Sequence, residues 1–234
     1  MRISLYTTMR NCLEADYPCV EMLRHHLPLA DEIVVNEGFS TDGTYEAISR
    51  IDPKIRIFRT NWAAPAAEDW SGGTATAASP QATRSRGVQR GNWSVAFRDA
   101  ARRRCQGDWC IHLDSDEFIP EWEFEPLRRY LATTADLMMP VEFTNFYGNY
   151  RVYHTDPAKT HWVTRKMNIH RNIVDRFEFW GDGSNLKLKG EAFSWGTQGT
   201  TFSVHHFGAV RHPSRLRRSW WALGRVESGR PARM

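Results

Sequence analysis

Apolar and polar positions along this chain predict strands separated by helices. Ile3 and Leu5 share one face of a strand over residues 2–8. Residues 11–26 read as a helix interrupted near Pro18, whose ring removes a backbone donor. Residues 31–36, with Ile33, Val34 and Val35 in succession, form a second and buried strand. Thr41-Asp42-Gly43-Thr44 opens a helix through Ile51, and residues 54–58 make a third strand. This alternation predicts a parallel sheet covered by helices, and such sheets hold ligands at the carboxyl ends of their strands. Asn11, Asn36 and Asp114 all fall at such ends.

Residues 62–86 break the pattern. Ala, Gly, Ser and Thr dominate there, so the stretch reads as a loop. A helix over 93–105 leads into Asp108-Trp109-Cys110-Ile111-His112-Leu113, where Trp109, Ile111 and Leu113 alternate with Cys110 and His112 as in a buried strand. It ends in three carboxylates, Asp114, Asp116 and Glu117, and Pro120 then suits the first turn of a helix over 121–130. Strands are expected at 136–146, 161–170 and 201–207, turns at 175–190, and an amphipathic basic helix at 214–226.

Crowded acids at a strand tip repel one another, and a divalent cation is the usual compensation, because carboxylate oxygens favour Mg²⁺, Mn²⁺ or Ca²⁺. The plain alternative is a solvated acidic turn before a helix. An EF-hand loop is excluded, since Ile119 stands where that loop bends at glycine.

Composition narrows the setting. Lys and Arg number 31 against 27 acids, and this mild positive balance does not call for nucleic acid. Cys12, Cys19, Cys105 and Cys110 show no zinc-finger spacing, which suits free thiols in a reducing compartment. No stretch has the ~18 apolar residues of a membrane span, and the first residues enter a strand without a signal peptide. The expectation is a cytoplasmic protein, at most peripheral to the inner face of the membrane through the basic-aromatic helix bearing Arg215, Arg217, Arg218, Trp220, Trp221 and Arg225.

Three segments together resemble family 2 glycosyltransferases. Val34-Val35-Asn36-Glu37-Gly38-Phe39-Ser40-Thr41-Asp42-Gly43-Thr44 is similar to that family's Val-Asp-Asp-Gly-Ser-Thr-Asp-Gly-Thr signature. Arg98 resembles the Arg of its Ala-Arg-Asn segment, and Asp114-Ser115-Asp116 resembles its Asp-x-Asp. Asn145-Phe146-Tyr147-Gly148, Ile169-His170-Arg171-Asn172 and His206-Phe207-Gly208-Ala209-Val210-Arg211 look like a bacterial branch in which a His-Tyr-Gly-Trp-Val-Arg segment precedes the last helix.

The resemblance implies an α/β chain of GT-A fold: a Rossmann-like, mostly parallel sheet flanked by helices, with a mixed acceptor-side sheet. Residues 1–228 would form one domain, with a donor half over 1–117, an acceptor half over 118–228 and a tail at 229–234. It implies an inverting, metal-dependent transfer of sugar from a UDP- or GDP-sugar to a glycan, a lipid-linked or a small-molecule acceptor. Thr7, Arg10, Asn36, Glu37, Arg98, Asp114 and Ser115 would contact the donor, while Asp114, Asp116 and His206 would hold Mn²⁺ or Mg²⁺. Asp182, in a Gly-Asp-Gly turn, is the expected base, with Glu142 and Glu191 in reserve. His205 and His206 are neighbours on one strand, so only one can face the site.

Departures from the family pattern are specific. Asn36 replaces the first Asp, Phe39 is an added residue, and Asp99 stands where Asn is common. Asp42 reads better as a plain helix-start residue than as a donor contact. Two other readings remain: a sugar-nucleotide or glycan-binding relative without catalysis, and a nucleotidyltransferase. The latter would want a glycine-rich phosphate loop, and Thr7-Thr8-Met9-Arg10 has none.

Overall fold

The computed structural model describes residues 1–62, 88–153, 165–180, 185–194 and 202–212, with backbone alone over 88–94. The loop expected after Trp62, Asp182 and the helix expected at 214–226 lie outside the described residues.

Ten strands and four α-helices are described. β1 (Ile3–Met9), β2 (Glu32–Glu37), β3 (Ile55–Arg59) and β4 (Trp109–His112) are the strands of the amino-terminal half. α1 (Cys19–His26), α2 (Thr44–Ile48) and α3 (Val88–Arg102) fall between them. β5 (Glu117–Phe118), α4 (Phe124–Thr133), β6 (Met138–Tyr147), β7 (Arg165–Arg171) and β10 (Phe202–Ala209) continue the main sheet and its cover. β8 (Phe177–Trp180) and β9 (Asn185–Leu188) form a separate antiparallel pair.

The main sheet has the order β3-β2-β1-β4-β7-β6-β10-β5. Its first four strands are parallel, as α/β crossovers require. β7 runs antiparallel to both β4 and β6, β10 is parallel to β6, and β5 closes the edge antiparallel to β10. The expected α/β class, a parallel half joined to a mixed half, is the one that forms. One continuous sheet joins them.

Strand alternation sorts the residues onto two faces. Ile3, Leu5, Ile33, Val35, Trp109 and Ile111 turn into the main apolar core with Met22 and Leu23 of α1, Ile48 of α2 and Leu127 and Leu131 of α4. On the opposite face Tyr6, Val34 and Cys110 meet Ala101 of α3, Cys105 and Phe179 in a smaller cluster.

Three expectations need correction. The helix predicted for 11–26 begins only at Cys19. Asn11 and Asp16 sit at φ 49° and 60°, in the left-handed region, so 11–17 is a series of turns before Pro18. Residues 175–190 are more regular than turns, since Phe177–Trp180 and Asn185–Leu188 pair; the intervening polar residues hid the hairpin. The acidic turn leads first into β5, a two-residue strand too short to show a period, and then through Pro120 and a 3₁₀ turn into α4.

Candidate active site

The acidic turn follows β4 at the carboxyl edge of the parallel strands. It is closed by its own residues: the Asp114 N–H donates to Glu117 Oε2 at 2.9 Å, and the Glu117 N–H donates to the Asp114 carbonyl at 3.1 Å. Glu117 then enters β5, opposite His206 of β10. This pairing brings the distant carboxyl-terminal segment to the acids.

The three carboxylates have different surroundings. Asp114 has the most exposed side chain, 28% against 8% for Asp116 and 0% for Glu117. Arg98 Nη2 lies 3.2 Å from Asp114 Oδ1, Lys166 Nζ lies 3.4 Å from Asp114 Oδ2, and His112 Nε2 is 3.7 Å from Asp114 Oδ1. Burial works to raise the Asp114 carboxyl, but Arg98 and Lys166 outweigh it and hold it well below the usual carboxylate range. Lys166 also makes a close ion pair with Glu117 Oε1. Burial opposes its charge, yet Glu117 and Asp114 keep the ammonium above its ordinary value.

Asp116 faces His206 instead, with Oδ2 3.6 Å from Nε2. The His206 Nδ1–H donates to Asn145 Oδ1 at 2.7 Å, which fixes the ring with Nε2 toward Asp116. Burial disfavours the charged imidazole, but Asp116 and Glu117 prevail and raise its pKa. Gly208 makes room for the pair: a Cβ there would stand 2.5 Å from His206 Nε2 and 3.0 Å from Asp116 Oδ2. His205 points elsewhere, packing on Phe146 and Trp122, so the two histidines do face opposite ways.

Asp116, Glu117 and His206 offer one ligand atom each, all within 4.8 Å of one another. Two carboxylate oxygens and an imidazole suit Mn²⁺ or Mg²⁺, and Asn145 supplies the outer hydrogen bond that metal-binding histidines commonly use. The expected trio held Asp114 in place of Glu117. In the structure Asp114 sits one step away, paired with Arg98 and Lys166.

The other expected donor contacts line the same edge. Asn36 is fully buried, donating to the Phe97 carbonyl at 3.0 Å and accepting from Thr60 Oγ1 at 2.7 Å. Glu37, also buried, accepts from Phe39 N at 3.1 Å and Ser40 N at 2.5 Å and pairs with Arg59 at 2.6 Å, shaping the turn after β2. Burial acts to raise the Glu37 carboxyl, but these partners lower it. Arg10 is exposed, with Nη1 3.4 Å from the Trp62 carbonyl, and buried Thr7 Oγ1 has no hydrogen-bond partner among the described residues. Ser115 is buried in the turn. Asp42 is spent locally, accepting from Thr44 N at 3.0 Å and Glu14 N at 2.7 Å. Of the reserve bases, Glu142 is exposed on β6 and Glu191 pairs with Arg176 at 3.1 Å.

Sequence reasoning did not single out Lys166, Glu117 as a ligand, or the Tyr17–Arg211 clasp. Buried Arg211 donates from Nε to the Gly208 carbonyl at 2.8 Å and from Nη1 to the Ala15 carbonyl at 3.2 Å, with its guanidinium 4.1 Å from the Tyr17 ring centroid. This ties the turns after β1 to the end of β10. Burial, with Asp116 nearby, pushes Tyr17 up to about 12. A lysine next to Met167 and Ile169 in the strand expected over 161–170 was the available signal for Lys166.

No protein-family model matches this chain, and no curated protein does. Solved structures similar to it include Staphylococcus aureus TarS 1–349, at TM-score 0.44 and 16% identity over 74% of this chain and 47% of that one. TarS 1–349 in complex with UDP-GlcNAc gives 0.43 and 17% over 74% and 46%. A mycobacterial protein gives 0.33 and 19% over 62% and 40%. The chain thus spans about half the length of the TarS 1–349 structures it matches. With TM-scores below 0.5, the fold class rests on the strand order itself. Among the described residues no helix is long and apolar enough to cross a membrane.

Proposed function

We propose that this chain is a glycosyltransferase of GT-A type that takes its sugar from a nucleoside diphosphate donor. The observation that carries the reading is the meeting of Asp116 and His206, 90 positions apart in sequence, beside Asp114 and Arg98 at the carboxyl edge of the parallel strands. That edge is where α/β sheets hold ligands, and the residues are those that the family resemblance selected.

The donor's diphosphate would lie across this edge, with Arg98 and exposed Arg10 offering guanidinium groups to it. A divalent cation, held by Asp116 and His206 with Glu117 adjacent, would offset the charge that grows on the departing diphosphate. The chain's own contribution is orientation: Asn145 aims His206, Gly208 leaves space for it, and the Arg211 clasp draws Tyr17 and the turns after β1 against the same end of β10. Inversion at the sugar needs a base on the far side of the leaving group, and Asp182 is the proposed residue. Acceptors are a glycan, a lipid-linked sugar or a small molecule, and the proposed setting is the cytoplasm.

Thermal stabilisation by nucleoside diphosphates in the presence of Mn²⁺ tests this reading. UDP or GDP should raise the melting temperature, and Asp116→Asn should remove that shift along with transfer and donor hydrolysis. Absence of stabilisation by every nucleoside diphosphate would overturn it. Asp182→Asn should lower turnover while leaving nucleotide affinity unchanged.

A further inference from the structure

Three crowded acids at a strand tip need compensating positive charge. The structure supplies side-chain cations first. Lys166, on β7, bonds to Glu117 and lies 3.4 Å from Asp114, while Arg98 pairs with Asp114 at 3.2 Å. Lys166 is 7% exposed and also sits 4.7 Å from the centre of the Phe143 ring. Both Glu117 oxygens are therefore engaged, one by Lys166 and the other by the Asp114 N–H. Of the three metal-capable side chains, only Asp116 and His206 lie outside this arrangement.

We propose that Lys166 is a built-in counter-cation of the acidic turn, withholding Glu117 from any divalent ion and leaving a two-donor site at Asp116 and His206. Two protein ligands beside a fixed ammonium make a weak site for a free cation, because the ion loses a carboxylate partner and meets a like charge. The diphosphate of the donor must then bring the missing oxygen ligands, so cation and nucleotide bind as a unit. Lys166 is in this sense a positioning residue: it holds Glu117 against the Asp114 amide and keeps the turn closed whether or not a cation is present. The inference rests on the reading that this edge takes a cation with a diphosphate, yet its test needs no nucleotide.

Binding of Mn²⁺ alone, followed by the loss of the free-ion paramagnetic resonance signal, separates the outcomes. The wild type should bind Mn²⁺ with Kd on the order of 10⁻³ M or weaker, the range of low-affinity oxygen-ligand sites. Lys166→Met should bind at least about tenfold more tightly, since Glu117 is released and a like charge removed. Adding Asp116→Asn should abolish that gain. Lys166→Arg, which keeps the charge, should bind no better than the wild type. A wild-type Kd in the micromolar range overturns the proposal whatever the variants do, as does a folded Lys166→Met protein with unchanged or weaker affinity. If Lys166→Met does not fold, tighter Mn²⁺ binding by Lys166→Arg would overturn it too. A chain that passes these tests but binds no nucleoside diphosphate would refute the transferase reading and leave Lys166 in its role.

Discussion

The two faces of the central sheet solve the burial problem differently. Under α1, α2 and α4 the face is almost wholly apolar: Ile111 and Leu5 are held by packing, and the Trp109 indole N–H donates to the Leu131 carbonyl at 2.9 Å. The face that meets α3 buries polar side chains and satisfies most of them, while His112 Nε2 has no hydrogen-bond partner among the described residues. Ser4 Oγ donates to Glu32 Oε1 at 2.6 Å, and Glu32 pairs with Arg56 at 2.6 Å. The His170 Nδ1–H donates to the Arg171 carbonyl at 2.8 Å, and Tyr6 O–H lies 3.3 Å from the Nε2 that remains an acceptor. Arg102, 1% exposed, is held by Asp99 and the Val174 carbonyl. The apolar face is intolerant of lost volume, and it also carries a buried titratable group in His26 of α1. A polar face is sensitive to protonation, and its cost is set by whether every donor finds an acceptor.

Cutting volume from the apolar face should have the largest effect. Ile111→Ala is expected to destabilise the chain by about 2–5 kcal/mol, read from the midpoint of urea denaturation. A loss below about 1 kcal/mol would mean that this face is not the tighter of the two.

Acid should act next. Burial drives both His170 and His26 down to about 3, so each is neutral in the fold and titrates near 6.5 when unfolded. With the folded value depressed, the unfolded chain binds more protons between those limits. Stability is full above pH 6.5 and falls with acidification, by about 1 kcal/mol per pH unit for each histidine. Between pH 6.5 and 5.5 ordinary carboxylates stay largely ionised, so denaturation curves in that window report mainly on the buried histidines, including His112, which burial also drives down to about 3. His170→Phe should flatten the slope while costing about 1–3 kcal/mol at neutral pH, because Tyr6 O–H loses its acceptor. An unchanged slope would remove His170 from the account.

Smaller effects belong to the loops and the surface. Asp42→Ala removes the acceptor of the Thr44 and Glu14 amides and should cost about 1 kcal/mol by thermal melting, with nucleotide affinity unaltered. A loss of nucleotide binding would place Asp42 in the donor site. Glu125→Gln breaks an exposed pair with Arg129 at 3.9 Å and should change stability by less than about 0.5 kcal/mol. That substitution gives the baseline against which either face is judged.

Much of this architecture is written in short-range pattern. The runs around Leu5, Val34 and Ile111 alternate or persist as strands do, the intervening segments carry helix signals, and their order makes a parallel sheet the economical solution. The acids after Leu113 could be picked out because three carboxylates in four residues demand compensation wherever they lie. Asp42, read as a helix-start residue, is used locally in the structure, as residues two apart can be. A two-residue strand such as Glu117–Phe118 carries no period at all, and its pairing with β10 depends on residues some 90 positions away.

What the sequence determined by itself was therefore the kind of layers, the edge on which chemistry is placed, and the presence of unusual negative charge there. Which cation answers that charge was decided only in three dimensions. Lys166 reaches Asp114 and Glu117 because β7 lies antiparallel beside β4, and His206 reaches Asp116 because β10 pairs with β5. Coulomb attraction depends on separation in space, and a pairing register between distant strands leaves no trace in the spacing of residues along the chain.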